Sequence, residues 1–144
     1  MIERLPQGVT AHYLGPSLPQ DVWQYYADND AFALPTLDEN YGFVIEDALL
    51  AGCVPVISDR TPWSSLDRMG AGFVLPLEDR AAWIETLGTL WAMDEQQFSI
   101  MRRRCSDLHA TLRKGGVADD YQRLFLDPLI FAISRSHRPG ETLQ

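Results

Sequence analysis

The feature that most constrains the fold is an alternation of short apolar runs with longer stretches of helical period. The clearest run, Val54 to Ile57, is continuous and rich in β-branched residues, as expected for a strand covered on both faces. Three similar runs occur at Ala11 to Leu14, Ala31 to Leu34 and Gly72 to Leu75. Such an alternation indicates a parallel sheet crossed by helices. We therefore predict an α/β fold with a Rossmann-like open parallel sheet of about four strands and flanking helices.

Helical stretches lie between these runs and end at recognisable signals. Pro19 and Asp21 open the first stretch, because proline suits the first turn of a helix and an acidic residue suits its positive end. The second stretch, Val44 to Ala51, is followed by Gly52, which predicts its C-terminal end. The two predicted helices therefore precede the second and third strands.

The chain after Leu77 has no further strand signal and predicts a helical C-terminal part. Asp94 and Gln97 have the spacing of a capping box, and the helix they open is expected to turn one apolar face inward. Gly115-Gly116 breaks this helix before the period restarts at Val117. The residues expected on its inner face are Phe98, Met101, Cys105, Leu108 and Leu112.

The length of 144 residues fits one domain, and no linker-like segment divides it. We expect a single domain over 1–133 and a flexible tail over 134–144. The formal net charge of −8 argues against nucleic acid as a partner, because binding to phosphates needs clustered positive charge. No apolar run approaches the ~20 residues of a transmembrane helix, and no signal peptide is recognisable, so a cytoplasmic location is expected.

The cysteines and histidines predict neither a disulfide nor a metal centre. Cys53 and Cys105 lie far apart, at the start of a strand and on a helix face, which favours buried free thiols. His12, His109 and His137 are scattered, and each is expected to be an isolated polar side chain rather than a metal ligand.

Loops that follow the strands are the places to look for a ligand site, because ligands of open parallel sheets bind beyond the carboxyl ends of the strands. The candidates are Gly15 to Pro19, Thr36 to Gly42 and Ser58 to Trp63. The middle loop combines two carboxylates, an amide and a glycine directly before a helix, whose first N–H groups can receive an anion. The alternative is a capped turn without a ligand, since Asp and Asn favour turns for local reasons.

A longer pattern surrounds this loop. Leu34 to Asp59 reads LPTLDENYGFVIEDALLAGCVPVISD, in which Glu39 and Asp47 are eight positions apart. The segment resembles the C-terminal, nucleotide-sugar-binding domain of the group 1 family of retaining GT-B glycosyltransferases. That family combines an acidic loop, a glycine turn, a second acidic residue eight positions later, Ala-Leu, a small residue, Gly and a Pro-Val-Ile strand. The following Asp-Arg-Thr-Pro-Trp, ending at Trp63, also looks like part of one branch.

The resemblance implies a role for individual residues. Glu39 is expected beside the donor sugar as the catalytic carboxylate, and Asp47, in place of the usual Glu, at the ribose hydroxyls. Independently of the resemblance, the helical step from Asp47 favours Glu46 as a solvent-facing charge, and a Pro-Trp pair after a strand favours Trp63 as an anchor of its loop in the core. Backbone groups after Glu39 would hold the sugar and the diphosphate, and a turn before the first helix would pack on the base. The implied donor-binding residues are Asn40, Tyr41, Gly42, Phe43, Val44, Asp47 and Gly15.

The implied function is transfer of a sugar, with retention, from a nucleotide-diphosphate sugar to an acceptor, without a cofactor or metal. We also expect an N-terminally incomplete domain, because no counterpart of the family's first strand-helix-strand segment precedes Val9. The partners expected are the missing N-terminal GT-B domain or a second copy, bound through an exposed sheet edge. A catalytically inactive remnant or partner-binding module is the alternative, and an enzyme of related chemistry, such as a nucleotide-sugar epimerase, is a third possibility.

Overall fold

The computed structural model describes residues 9–114. The predicted domain boundary at 133, the break at Gly115-Gly116, the helical restart and the tail lie outside the described residues. In chain order, the described elements are α1 (Pro19–Asp28), β1 (Ala31–Leu34), α2 (Phe43–Ala51), β2 (Val54–Ser58), β3 (Phe73–Leu75), α3 (Arg80–Ala92) and α4 (Glu95–Lys114).

The strands form one parallel sheet in the order β1-β2-β3. Ala31 is in register with Val54, and Val56 with Phe73. The five residues of β2 are all buried, as predicted from the continuous apolar run. The predicted α/β class with an open parallel sheet and flanking helices is confirmed.

The prediction of a first strand at Ala11 to Leu14 is wrong. This segment has no regular secondary structure, and its side chains are exposed, with Tyr13 at 88%. A strand needs a neighbour that satisfies its backbone hydrogen bonds, and four apolar residues carry no information about whether that neighbour exists. The sheet within residues 9–114 therefore has three strands instead of about four.

Two predicted helix boundaries are confirmed by their hydrogen bonds. Gly52 ends α2 with φ +73°, and its N–H donates to the carbonyl oxygens of Ala48 and Leu49. At the start of α4, Asp94 N–H donates to Gln97 Oε1 at 3.0 Å, and Gln97 N–H donates to Asp94 Oδ1 at 2.8 Å. This reciprocal pair is the capping box that the sequence predicts.

The core lies between the sheet and the helices α2 and α4. Ile45 and Leu49 of α2 are fully buried there. The predicted inner face of α4 is confirmed, with Phe98, Cys105 and Leu108 buried and Met101 and Leu112 packed against them. The site loops are thus supported by a helix pair that shares one apolar interface.

Both cysteines are buried free thiols, as predicted. Burial raises the pKa of Cys53 to about 11 and that of Cys105 to about 12. Because the thiolate is the nucleophilic form, neither residue is suited to covalent chemistry at neutral pH. In the part of the chain that the structure describes, no helix is both long and apolar enough to cross a membrane.

Candidate functional site

The carboxyl ends of the three strands bring three loops together at one edge of the sheet. Buried Ser58, the last residue of β2, donates its hydroxyl to the Thr36 carbonyl oxygen at 2.7 Å. The next residue, Asp59, donates its N–H to the Leu75 carbonyl oxygen at 2.8 Å. Direct hydrogen bonds therefore tie the end of β2 to the loop after β1, and the loop after β2 to the end of β3, at the edge where open parallel sheets bind ligands.

Residues 36–42 connect β1 to α2, and we call them the donor loop after the role that the sequence resemblance predicts for them. Thr36 Oγ1 donates to the carbonyl oxygen of Asp38 at 2.7 Å, which closes the first half of the loop. Gly42 N–H donates to Glu39 Oε1 at 3.2 Å, which closes the second half. The half-buried Glu39 side chain therefore folds back over the start of the helix instead of extending into solvent.

Gly42 has a conformation and a position that only glycine suits. Its φ of +84° is in the left-handed region, and a Cβ there would lie 2.8 Å from Ile45 Cδ1 and 2.9 Å from Trp63 Nε1. The Gly42 carbonyl oxygen accepts the N–H of Ile45 at 2.8 Å, but no side chain caps α2. The positive end of α2 thus begins directly at the donor loop.

Trp63 anchors the loop after β2 and also holds the donor loop. The half-buried indole packs against the core, and this confirms the predicted anchor. Its N–H donates to the Tyr41 carbonyl oxygen, and the two rings meet edge to face with their centroids 6.1 Å apart. A buried indole N–H needs an acceptor, and here the acceptor is the donor-loop backbone.

Glu46 and Asp47, the two acidic residues of α2, are arranged differently from the prediction. Asp47 is solvent-exposed as a residue, but neighbouring protein atoms displace part of the water around its carboxyl and raise its pKa. The charge of Glu46 also raises this pKa, and His109 lowers it. The expectation that Glu46 faces solvent is wrong, because its side chain is only 13% exposed. Glu46 Oε2 accepts the Tyr41 hydroxyl at 3.1 Å, and Oε1 lies 3.7 Å from His109 Nε2. His109 is therefore not the isolated side chain that was expected.

The other predicted donor-binding residues occupy the loop and the segment before α1. Asn40, Phe43 and Val44 are exposed, and the Phe43 ring lies 4.5 Å from that of Tyr41. Gly15 has φ +70°, and none of the described heavy atoms lies within 4 Å of where its Cβ would be. Glu39, Tyr41 and Gly42 are thus brought together, whereas Gly15 belongs to the exposed N-terminal segment.

Sequence reasoning missed three residues that organise this region. Ser58 was read only as the start of a loop, although a hydroxyl at the end of a buried strand requires an acceptor. His109 follows Cys105 by one helical turn, which places it on the inner face of α4, and Glu46 similarly precedes buried Leu49 on α2. Helical spacing was therefore the signal from which the inward-facing positions of His109 and Glu46 could have been predicted. Residues 9–114 contain no cluster of three His, Cys, Asp or Glu that could hold a metal ion.

Comparison with known proteins gives one informative similarity. No family model matches the chain. In an alignment 102 residues long that covers 69% of the chain, it is 26% identical to a D-inositol 3-phosphate glycosyltransferase of Corynebacterium urealyticum. The matched part is 24% of that protein, so the chain spans about a quarter of its relative. The chain is therefore distantly similar to a glycosyltransferase, and its parallel α/β sheet is consistent with that similarity.

Proposed function

We propose that this chain is the donor-binding domain of a glycosyltransferase that transfers a sugar, with retention, from a nucleotide sugar to an acceptor. The observation that carries the proposal is the donor loop, which is closed by the Gly42 to Glu39 hydrogen bond and lies at the carboxyl edge of the sheet, directly before the uncapped α2. The name of the distant relative supports the same reaction class.

Glu39 is the proposed catalytic carboxylate. Its Oε1 accepts the Gly42 N–H, which orients the group and leaves Oε2 for the donor sugar. A carboxylate held in this way can accept sugar hydroxyls and stabilise the positive charge that develops near the anomeric carbon in the transition state. Its hydrogen bond within the loop makes the orientation independent of the ligand.

The start of α2 is the proposed site of the diphosphate. The N–H groups of the first turn and the helix dipole both favour an anion at this end. Gly42 allows the left-handed turn with which the donor loop enters α2, and the backbone from Asn40 to Val44 would supply the contacts to the phosphates and the sugar hydroxyls. The negative charge of the leaving group would thus be stabilised by the helix, without a metal ion.

Asp47 is proposed to accept hydrogen bonds from the ribose, and Gly15 to lie against the base. Asp47 is exposed on α2, within the first two turns after the donor loop, so a nucleotide on the loop would meet an accessible carboxylate. Asp has one methylene fewer than Glu, so the ribose would have to lie closer to the helix.

The alternative is a partner-binding module that keeps the fold without catalysis. Two observations favour it: the exposed apolar segment at Tyr13 and Leu14, and β1, which has no strand partner on its outer edge among residues 9–114. An unpaired edge favours association with another chain. Binding of a second copy or of an N-terminal domain at this edge stays a prediction, which sedimentation velocity over a dilution series would check.

The proposed function is tested by calorimetric titration of the full chain with UDP, GDP, ADP and their sugar conjugates. We expect saturable binding of one nucleotide, weakened at least ~10-fold by Asp47→Asn, because one hydrogen bond to a charged group contributes about 1.5 kcal/mol or more. Glu39→Gln should weaken binding of the sugar conjugate more than that of the nucleotide alone. The matched control is Glu85→Gln, a change at an exposed carboxylate of α3.

Each outcome separates the two candidates. Binding that responds to Asp47→Asn and not to Glu85→Gln supports the donor site. No binding of any nucleotide to the full chain would favour the partner-binding module. Binding that neither Asp47→Asn nor Glu39→Gln changes would mean that the nucleotide site lies elsewhere.

A further inference from the structure

A cluster of polar side chains connects the donor loop to the distant helix α4. Glu46 of α2 lies at its centre, with Oε2 accepting the Tyr41 hydroxyl at 3.1 Å and Oε1 at 3.7 Å from His109 Nε2. The side chains of Glu46 and His109 are 13% and 8% exposed. We call Tyr41, Glu46 and His109 the buried cluster.

The burial of Glu46 has to be compensated. Removing a carboxylate from water costs several kcal/mol unless hydrogen bonds and a counter-charge replace its hydration. Tyr41 provides a hydrogen bond, and His109, when protonated, provides a positive charge. The neighbouring carboxylate of Asp47 adds negative charge beside Glu46, so a positive charge on His109 would stabilise this region more strongly.

The contacts of Tyr41 link this cluster to the donor loop. Its hydroxyl donates to Glu46, and its carbonyl oxygen accepts the indole N–H of Trp63. The next residue is Gly42, whose N–H donates to Glu39. A displacement of the Tyr41 ring would therefore move the peptide groups on both sides of the helix start, including the hydrogen bond that orients the proposed catalytic carboxylate.

We propose that Glu46 is a positioning residue, which holds Tyr41 and with it the donor loop in the ligand-binding arrangement, and that His109 keeps the Glu46 carboxylate directed at Tyr41. This inference rests on the proposed function. Glu46 touches no substrate, because its carboxylate is buried between α2 and α4 on the inner side of Tyr41. The packing of α4 on α2 thereby influences the geometry of the donor loop, although α4 contributes no residue to that loop.

The charged and titratable groups around the cluster come from three elements. Asp47 is the second acidic group on α2, and its carboxyl interacts with both Glu46 and His109. Tyr26 of α1 is buried nearby, where burial and the charge of Asp47 raise the pKa of its hydroxyl. His109 is the titratable group contributed by α4. Among these groups, the His109 imidazole is the one placed to offset the charge of the Glu46 and Asp47 carboxylates.

The experiment observes the loop directly in the free protein. In ¹H-¹⁵N NMR spectra, the Gly42 amide and the Trp63 indole report on the two hydrogen bonds that hold the donor loop. We expect Glu46→Ala and Tyr41→Phe to shift both signals and to weaken nucleotide binding about 10-fold, the effect of one hydrogen bond of about 1.4 kcal/mol. His109→Gln should shift the same signals.

Two further variants distinguish positioning from general stability. Glu46→Gln keeps an oxygen acceptor for Tyr41 and should restore affinity to within about 3-fold of the unmodified chain. Leu108→Ala removes buried apolar contacts of α4 beside His109, so it should lower the unfolding midpoint but leave the Gly42 and Trp63 signals in place. If Glu46→Ala does not fold, Tyr41→Phe and Glu46→Gln provide the test.

The outcomes for the two proposals differ. Unchanged Gly42 and Trp63 signals in Tyr41→Phe would overturn the positioning role, and so would shifted signals with unchanged nucleotide affinity. Absence of nucleotide binding in the unmodified chain would overturn the proposed function alone, since the signals report on the loop without a ligand.

Discussion

The two ends of the parallel sheet are organised by different interactions. At the carboxyl end, Ser58 and Trp63 each donate a side-chain hydrogen bond to the backbone of the donor loop. At the amino end, the connection between α1 and β1 and the helices α3 and α4 line a cavity of about 540 Å³. Its lining combines the apolar side chains of Leu90, Trp91 and Phe98 with polar residues such as Asp30 and Asp94. An exposed ion pair between Asp30 and Arg102 provides a polar link at that end.

This difference shows why cavity size does not identify the site. The volume at the amino end is typical of small-molecule pockets. However, hydrogen bonds from buried side chains are directional, and they fix a backbone more narrowly than apolar contacts or an exposed ion pair do. The preorganised polar groups of the carboxyl end therefore favour this end for the proposed binding of a sugar and a diphosphate.

The largest expected effect is that of Gly42→Ala at the carboxyl end. The new Cβ would have to occupy the left-handed region and would lie within 3 Å of Ile45 and Trp63. We expect a loss of about 2 to 4 kcal/mol of unfolding free energy, measured by urea denaturation. The control is Gly88→Ala in α3, where nothing lies within 4 Å and a gain of up to ~1 kcal/mol is expected. Similar losses in both variants would contradict the assigned geometry of the donor loop.

Replacing a tryptophan at each end compares the two directly. Trp63→Phe removes the hydrogen bond to the Tyr41 carbonyl oxygen and part of a packed ring, so we expect a loss of about 1 to 3 kcal/mol. Trp91, at the amino end, is 85% exposed, and Trp91→Phe should change stability by less than about 0.5 kcal/mol. Chemical denaturation of both variants measures the difference. Equal losses would mean that the amino end is as tightly held as the carboxyl end.

The polar links can be compared in the same way. Ser58→Ala leaves the Thr36 carbonyl oxygen without its buried donor and should cost about 1 to 2 kcal/mol. Asp30→Asn weakens only the exposed pair with Arg102, for which we expect at most about 0.5 kcal/mol. Thermal unfolding of the two variants at equal salt provides the measurement. A larger loss of stability in Asp30→Asn than in Ser58→Ala would mean that the polar link at the amino end contributes more than the one at the carboxyl end.

The smallest expected effect concerns the pH dependence of Asp47. Because the pKa of its carboxyl is raised in the folded protein, ionisation of Asp47 disfavours the folded state. This cost is absent below the ordinary Asp pKa of about 3.9 and is complete once the pH exceeds the raised value. Asp47→Asn should therefore raise the unfolding temperature at pH 7 by less than about 2 °C, since the group is exposed, and should have no effect near pH 3. If the unfolding temperature of Asp47→Asn is still raised at pH 3, the gain does not come from removing the ionised carboxylate.

Elements with strong local signals were predictable from the sequence. The boundaries of β1 and α2 agree with the sequence to within a residue, because a continuous apolar strand and a C-terminal glycine are signals that need no tertiary context. The segment at Ala11 to Leu14 was mispredicted, because its strand character depends on a neighbour that its own sequence does not specify. The runs that pair with a neighbouring strand were thus predicted correctly, whereas the run without such a neighbour was not.

The donor loop was predictable in its position but not in its internal contacts. Its place after β1 follows from the order of elements and from the glycine before α2. The pairing of Glu46 with His109 depends on how α4 packs on α2, and residues so far apart in sequence are brought together only by the tertiary structure. The roles assigned to Glu39 and Asp47 come from the resemblance and stay predictions.

The sequential order of the strands has a consequence for synthesis of the chain. Each strand pairs with the next one to emerge from the ribosome, so β1, α2 and β2 can assemble from one continuous stretch before α4 is made. At about 5 to 20 residues per second, His109 follows Glu46 by roughly 3 to 13 seconds. During that interval the Glu46 carboxylate would remain hydrated, and the nascent donor loop would acquire its final geometry only when α4 packs on α2.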